Sequence, residues 1–94
     1  MHLGKRIKEL REEKKILQRQ LAASLEIDTP MFSKIERGER RAKREQVIKL
    51  AELLDTDSNE LLTLWLSDQL NELVKDEDNA EGALNLVIKN LRNL

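Results

Sequence analysis

The sequence predicts an all-α protein in which six short helices are joined by connections of a few residues. Apolar residues recur at the three- and four-residue spacing of an amphipathic helix along the chain. No segment alternates apolar and polar residues as a half-buried strand does. Residues that cap or end helices separate the apolar stripes. Together these three observations favour an all-helical fold.

The first four helices follow from their apolar stripes and from the residues between them. The stripes are Leu3, Ile7 and Leu10; Leu17, Leu21 and Leu25; Met31, Phe32 and Ile35; and Val47, Leu50, Ala51 and Leu54. Asp28-Thr29-Pro30 predicts the start of the third helix, because Asp accepts from first-turn N–H groups and Pro has no N–H to leave unpaired. Gly38 is expected to end that helix.

The fifth helix, from about Ser58 to Lys75, has more apolar surface than a helix covered on one side needs. The face that is expected to close the core contains Leu61, Leu64 and Trp65. A second face contains Leu62, Leu66, Leu70 and Leu73. Its cover is the sixth helix, a second copy of the chain, or both, and a purely intramolecular core is the alternative. We expect these four leucines to form a homodimer interface.

The sixth helix runs from about Asn79 to the C-terminus, after a polar joint that begins at residue 76. Its apolar stripe consists of Ala80, Ala83, Leu84, Val87, Ile88, Leu91 and Leu94. Gly82 weakens this helix by about 1 kcal/mol relative to Ala, so docking against another surface is expected to stabilise it. We therefore expect a main domain over residues 1–75 and a C-terminal helical appendage over residues 76–94.

The two halves of the chain differ in charge, although the whole chain has a net charge of −1. Residues 1–50 contain 14 Lys and Arg against 8 Asp and Glu, a net of +6. Residues 51–94 contain 3 against 10, a net of −7. This asymmetry indicates that the first half meets a polyanion while the second half stays away from it.

The composition excludes several classes of site and argues against an enzyme. The chain has no cysteine, so it can form neither a disulfide nor a thiolate metal site. Its only histidine, His2, is expected at a frayed terminus, and no metal-ligand spacing, glycine-rich phosphate loop or catalytic triad occurs. No cofactor and no metal are therefore expected. No apolar run is long enough for a membrane span and no signal peptide is evident, so we expect a cytoplasmic protein.

Residues 18–38 resemble the helix-turn-helix of the Cro and phage-repressor (Xre) family of DNA-binding regulators. The matching residues are Gln18, Leu21, Ala22, Ile27 and the run from Phe32 to Gly38. The stretches from Leu3 to Arg11 and from Val47 to Leu54 are similar to the family's first and fourth helices, so the resemblance covers about residues 3–66. It implies a five-helix repressor-like domain, plus an additional C-terminal helix; the second apolar face of helix five is what places that helix in a dimer interface. The size of the chain is also similar to that of restriction–modification controller proteins.

The resemblance also implies roles for residues around the third helix. Base contacts are implied for Thr29, Pro30, Ser33 and Lys34, and phosphate contacts for Gln18 and Arg19. The alternatives are capping or solvation for Thr29 and Ser33, a phosphate for Lys34, and either core packing or a base contact for Met31. Arg11 and Glu36 match a family ion pair between the first and third helices, which gives Glu36 a partner in a basic stretch.

A basic cluster follows the predicted recognition helix. It comprises Lys34, Arg37, Arg40, Arg41, Lys43 and Arg44. Where the family usually has Pro and Ser, this chain has Ala42 and Lys43, so the fourth helix lacks a capping hydroxyl and has cations at its N-terminus. A bound phosphate would offset that cost, so Arg37, Arg40, Arg41, Lys43 and Arg44 are expected to contact the DNA backbone; a solvated loop is the alternative. Glu26 is a second departure, because the family often has Gly in this turn, where φ can be positive. Either Glu26 takes up that conformation at a cost of about 1 kcal/mol, or the turn adopts a slightly different geometry.

These features predict a sequence-specific transcriptional regulator that binds a palindromic double-stranded DNA operator as a homodimer in a bacterial or phage setting. The alternative is an antitoxin-like or adaptor protein whose acidic, leucine-rich C-terminal half binds a partner protein. The oligomeric state of the purified chain distinguishes the two, because a clean homodimer already covers the second face of helix five.

Overall fold

The computed structural model describes residues 2–94, which form six α-helices and no strand. The helices are α1 (His2–Glu13), α2 (Gln18–Ser24), α3 (Thr29–Glu36), α4 (Arg44–Leu53), α5 (Ser58–Val74) and α6 (Ala80–Arg92). The predicted all-α class is therefore confirmed. No helix among these residues is both long and apolar enough to cross a membrane.

The hydrophobic core is built from the apolar stripes of the first five helices, apart from Leu17, which precedes α2 and is 48% exposed. Its largest fully buried side chains are Phe32, Ile7, Leu50, Leu54, Leu61 and Val47. Partly buried residues pack against it, namely Ile16, Leu25, Ile27, Leu53, Leu62, Leu64 and Trp65. Helix α3 packs against α1 and α2, and α5 packs against α1 and α4. Since apolar burial is the dominant favourable term in folding, this core fixes the position of α3 within the domain.

Helix α1 meets the C-terminal end of α3 in backbone contact at Gly4. A Cβ atom added at Gly4 would overlap the carbonyl oxygen of Glu36 and would lie 2.8 Å from the carbonyl oxygen of Ile35. Both of these are backbone atoms, which cannot rotate away as a flexible side chain can. Glycine is therefore required for this approach of α1 to α3.

Asp68 of α5 caps the N-terminus of α1. Its Oδ2 accepts a hydrogen bond from the backbone N–H of Leu3 at 2.9 Å, and its Oδ1 accepts one from that of His2 at 3.0 Å. The ring Nδ1 of His2 lies 3.3 Å from the same Oδ1. The first turn of α1 contains no acidic residue of its own, so a distant residue supplies the acceptor. The expectation that His2 lies at a frayed terminus is wrong, because Asp68 holds its backbone.

Removing this cap should destabilise the domain measurably. We expect Asp68→Ala to lower the free energy of unfolding by about 1–2 kcal/mol, the range observed for lost helix N-caps, because two first-turn N–H groups lose their acceptor. Urea denaturation followed by circular dichroism measures the loss. Asp68→Asn keeps one acceptor oxygen and should lose less. Equal unfolding midpoints for the wild type and Asp68→Ala would show that water replaces the cap without cost.

Helix α6 leaves the second apolar face of α5 uncovered. None of the residues of α6 is buried, and Leu86, Val87, Ile88 and Leu91 are 45–62% exposed. On α5, Leu66, Leu70 and Leu73 are 53%, 41% and 74% exposed. The sequence predicted that the sixth helix, a second copy of the chain, or both would cover this face. In this structure the sixth helix does not cover it.

Candidate nucleic-acid interface

Helices α2 and α3 form a helix-turn-helix with its turn at residues 25–28. Leu21 and Ala22 of α2 and Phe32 and Ile35 of α3 are buried in the same core. The turn is closed by a hydrogen bond from the backbone N–H of Ile27 to the carbonyl oxygen of Ala22 at 3.0 Å. Core packing and turn geometry together therefore fix the orientation of α3 relative to α2.

Glu26 gives this turn its bend through a left-handed backbone conformation. Its φ is 58°, in the region that favours glycine. A side chain in this region costs about 1 kcal/mol or somewhat more. Of the two alternatives that the sequence leaves open, the structure has the left-handed conformation, with a Glu in place of the family's usual Gly.

The N-terminal turn of α3 is capped by Asp28 and exposes the residues that follow it. The Oδ1 of Asp28 accepts a hydrogen bond from the backbone N–H of Met31 at 2.7 Å. Thr29 and Pro30 are exposed, while Met31 is only partly exposed. Since Asp28 provides the cap, the hydroxyl of Thr29 is not needed for that purpose.

Ser33, Arg37 and Glu39 form one hydrogen-bonded network on the surface next to α3. The Nη1 of Arg37 donates to the Oγ of Ser33, and its Nε and Nη2 lie 2.9 Å and 2.7 Å from Oε2 of Glu39. The two side chains of this ion pair are 55% and 56% exposed, so solvent screens the attraction and a phosphate can compete for Arg37. Lys34, the neighbour of Ser33, is exposed.

Arg11, Glu36 and Gln18 form a second network, at the buried end of α3. The Nε and Nη2 of Arg11 donate to the two carboxylate oxygens of Glu36 at 2.6 Å and 3.1 Å, and the Nε2 of Gln18 donates to Oε1 of Glu36 at 2.9 Å. Arg11 also donates to the carbonyl oxygen of Ile16 at 3.0 Å. The hydrogen bonds to Glu36 raise the pKa of Arg11 above its ordinary value. Glu36 is 8% exposed, so its charge is compensated inside the protein.

This network also determines where Gln18 lies. Gln18 is the first residue of α2 and is partly exposed. One N–H of its amide group is bonded to Glu36, and the second remains available. Arg19 is exposed beside it. The start of α2 is thereby tied to the C-terminal end of α3.

The segment between α3 and α4 is held against α5 by the only tryptophan. The indole N–H of Trp65 donates to the carbonyl oxygen of Ala42 at 2.8 Å, and the Ala42 side chain is buried in the core. Arg40, Lys43 and Arg44 are exposed. Lys43 is the N-cap residue of α4 and supplies no side-chain cap, although its backbone N–H donates to Oε1 of Gln46 at 2.8 Å. Cations therefore surround a helix N-terminus that lacks a side-chain acceptor at its N-cap position.

Arg41 shares a cavity between residues 38–42 and α5 with Arg40, but it also lines a second surface that no other residue of the basic cluster lines. It lines a shallow groove whose other lining residues all belong to α5, namely Leu66, Gln69, Leu70, Glu72 and Leu73. Three of the four leucines predicted for a dimer interface are thus on this groove. The fourth, Leu62, packs partly buried against the core of its own chain.

Sequence reasoning did not identify Glu39 and Trp65 as parts of this region. The role of Glu39 could have been predicted from the sequence, because an acidic residue two positions after Arg37 inside a basic cluster can form an ion pair with a neighbouring cation. Trp65 had a weaker one: a buried indole N–H usually requires an acceptor, but its sequence does not reveal which carbonyl accepts.

Comparison with known proteins identifies the family. A family model described as a helix-turn-helix domain matches residues 2–64, which include α1 to α4 and the beginning of α5. Neither the search of curated proteins nor the search of solved structures returned a match. The matched part contains both the α2–α3 pair and the helices that hold it in place. The chain therefore belongs to the helix-turn-helix domain family, consistent with an Xre-type DNA-binding regulator.

Proposed function

We propose that this protein is a transcriptional regulator that binds a palindromic double-stranded DNA operator sequence-specifically as a homodimer in the cytoplasm of a bacterium or of a phage-infected cell. The observation that carries the proposal is the exposed N-terminal part of α3, which a buried core supports and a basic segment follows. The major groove of B-DNA, about 12 Å wide, admits one α-helix. A short helix held by a preceding helix presents its N-terminal residues to base edges there.

The proposed base contacts come from one side of α3. The residues are Thr29, Pro30, Ser33 and Lys34, of which Ser33 is partly exposed and the other three are exposed. Hydroxyl groups can donate to or accept from base edges, and an ammonium group can donate to the O6 and N7 atoms of guanine. Pro30 has no donor and can offer only an apolar contact, for example to a thymine methyl group. These side chains determine sequence preference in the proposal.

The proposed phosphate contacts surround α3 on the polar surface. The residues are Gln18, Arg19, Arg37, Arg40, Lys43 and Arg44. Lys43 and Arg44 stand at the N-terminus of α4, where the helix dipole disfavours each cation by about 0.3–1 kcal/mol. A DNA phosphate offsets this cost, because the cations and the free first-turn N–H groups both attract it. Arg41 is not in this set, since it lies beside the leucines of α5.

The proposed homodimer uses the exposed face of α5. Leu66, Leu70 and Leu73 form an apolar surface that nothing in a single chain covers, and Leu62 lies at its margin. A two-fold axis between two copies presents two copies of α3, so the operator has two half-sites about 34 Å apart. Palindromic DNA and a symmetric dimer therefore support each other in this proposal.

Selection of DNA from a random duplex pool tests the function directly. The full-length chain is expected to enrich a palindromic site and to bind it at least about 1,000-fold more tightly than scrambled DNA at physiological salt. Fluorescence anisotropy titration measures both affinities. A chain that enriches no sequence over several rounds, and that binds every duplex equally, would overturn the proposal.

The basic segment should contribute affinity without sequence preference. The double substitution Arg40→Ala/Arg44→Ala is expected to weaken selected and scrambled DNA by similar factors. It should also reduce the slope of log affinity against log salt by up to about 0.9 for each lost phosphate contact. Thr29→Ala is the matched control: it should leave the salt slope unchanged and reduce discrimination between the two DNAs. An unaltered slope in the double variant would place these arginines away from the phosphates.

A second candidate function is that of an antitoxin-like or adaptor protein, and the exposed apolar surface of α6 favours it. A monomeric protein rarely leaves Leu86, Val87, Ile88 and Leu91 exposed on one short helix without a partner. Sedimentation equilibrium of the purified chain separates the candidates. A clean homodimer supports the regulator, whereas a monomer or soluble aggregates support a missing protein partner.

A further inference from the structure

The groove on α5 combines an apolar floor with two opposite charges. Its floor is formed by Leu66, Leu70 and Leu73, and its margin includes Arg41 and Glu72. Both charged residues also line the cavity between residues 38–42 and α5 that contains Trp65. The cation and the anion therefore lie along the same edge of the leucine surface, on the side of the loop.

The two residues reach the groove from different levels along α5. The hydrogen bond between Trp65 and the carbonyl of Ala42 ties the residue next to Arg41 to Trp65. Glu72 is seven residues further along the helix. A rise of 1.5 Å per residue makes the separation between Trp65 and Glu72 about 10 Å along the helix axis. The backbone of Arg41 thus approaches the groove from the Trp65 end, and Glu72 lies beyond Leu70.

This arrangement is complementary to itself under two-fold symmetry. A two-fold axis that is perpendicular to α5 and passes near Leu70 would relate two antiparallel copies of the helix. The same edge of the two grooves would then lie side by side. The order of charges along the second edge is then reversed, so each cation faces an anion. In such an isologous contact every pair occurs twice.

We propose that the groove is occupied by the same groove of a second copy, with Arg41 of each chain paired to Glu72 of the other across the antiparallel α5 helices. The proposal rests on the homodimer of the proposed function and adds its register and its pairing residues. It also assigns Arg41 to the protein interface, although the remainder of the basic cluster faces DNA.

The charge state of the groove in the single chain supports a second copy as occupant. Among residues 2–94, Arg41 takes part in no ion pair. Glu72 is paired only with Lys75, three residues along the same helix, and both side chains are 55% exposed. Such an exposed pair is weak and readily exchanged for another partner. The groove therefore offers one unpaired cation and one available anion beside leucines that remain exposed.

Charge reversal tests the pairing. Arg41→Glu and Glu72→Arg, each alone, place like charges opposite each other twice and should raise the dimer dissociation constant at least about tenfold in sedimentation equilibrium. An equimolar mixture of the two variants should form a heterodimer near the wild-type affinity, because both contacts then join opposite charges. The double variant Arg41→Glu/Glu72→Arg should recover a homodimer for the same reason.

The control and the contrary outcomes separate this proposal from the proposed function. Arg44→Glu reverses an exposed charge that lines neither the groove of α5 nor the adjoining cavity, and it should weaken DNA binding while leaving the dimer intact. Recovery in the double variant without recovery in the mixture would mean that the two charges pair within one chain, which overturns the proposal. Single variants that dimerise like the wild type would also overturn it. A wild-type chain that stays monomeric would overturn the homodimer as well, whereas a failure to enrich any DNA would affect only the regulator.

Discussion

Arg11→Ala is expected to lower the free energy of unfolding by about 3 kcal/mol. The substitution leaves the carboxylate of Glu36 buried with only one remaining side-chain donor, Gln18. Removing one partner of a buried ion pair typically costs about 3–5 kcal/mol, because the other charge has lost its solvent as well as its partner. Urea denaturation monitored by circular dichroism measures the change.

Two further variants test whether the loss of stability in Arg11→Ala arises from the burial of the Glu36 charge. Arg6 also forms an ion pair between helices, with Glu60 at 2.7 Å, but both side chains are over a third exposed and Arg6→Ala should therefore have a much smaller effect. The double substitution Arg11→Met/Glu36→Leu removes both buried charges and should recover much of the lost stability. If Arg11→Ala and Arg6→Ala proved equally mild, the carboxylate of Glu36 would have to be hydrated in the folded protein.

Gly4→Ala is expected to destabilise the domain by about 3 kcal/mol, or to prevent folding. The added Cβ would overlap the backbone carbonyl of Glu36, so α1 and α3 would have to separate and the core between them would lose contacts. Overpacking a close contact usually costs about 1–3 kcal/mol, and the cost is at the upper end when the obstacle is backbone. Thermal and urea denaturation both report this loss.

Gly82→Ala is the matched control for Gly4→Ala. A Cβ at Gly82 meets no atom within 4 Å, so the same substitution there adds helix propensity without a clash. It should raise the helicity of α6, since Ala is favoured over Gly by about 1 kcal/mol in a helix interior. Loss of helicity in Gly82→Ala, or native stability in Gly4→Ala, would contradict the packing described for these two sites.

Much of the fold was predictable because local signals and the core agree. The helical stripes supplied the core residues from Leu3 to Leu61, and Asp28 caps α3 at the place that its sequence indicates. The family resemblance also indicated Glu26 as a position where φ can be positive, and its φ is positive. These features depend on neighbours within a few positions, which a single sequence displays directly.

Contacts between distant residues were not predictable in the same way. Asp68 lies in the middle of a helix, and nothing near it in the sequence shows that it accepts hydrogen bonds from residues 2 and 3. Arg41 was grouped with the predicted phosphate contacts because its neighbours in sequence are basic, but in space it also lines a groove with leucines of α5. Residues that are adjacent in sequence can therefore lie on different surfaces, and only the tertiary fold shows which surface each side chain belongs to.

The candidate DNA-contacting residues remain predictions that the structure makes concrete. Thr29, Pro30 and Lys34 are exposed on α3, as a contact requires. Arg37 is bonded to Ser33 and Glu39, so a DNA phosphate would compete with these two side chains for it. The sequence did not indicate this competition, because it depends on the conformations of three long or polar side chains.

The hydrogen bond of Trp65 has a practical consequence for spectroscopy. The chain has one tryptophan, and its indole N–H is bonded to the segment that joins α3 to α4. The emission of a single indole depends on its hydrogen bonding and solvent exposure, so intrinsic fluorescence reports on the surroundings of Trp65, which include this segment and the edge of the core. DNA binding or chain association that moves the segment should therefore change the emission of one native fluorophore, without a label.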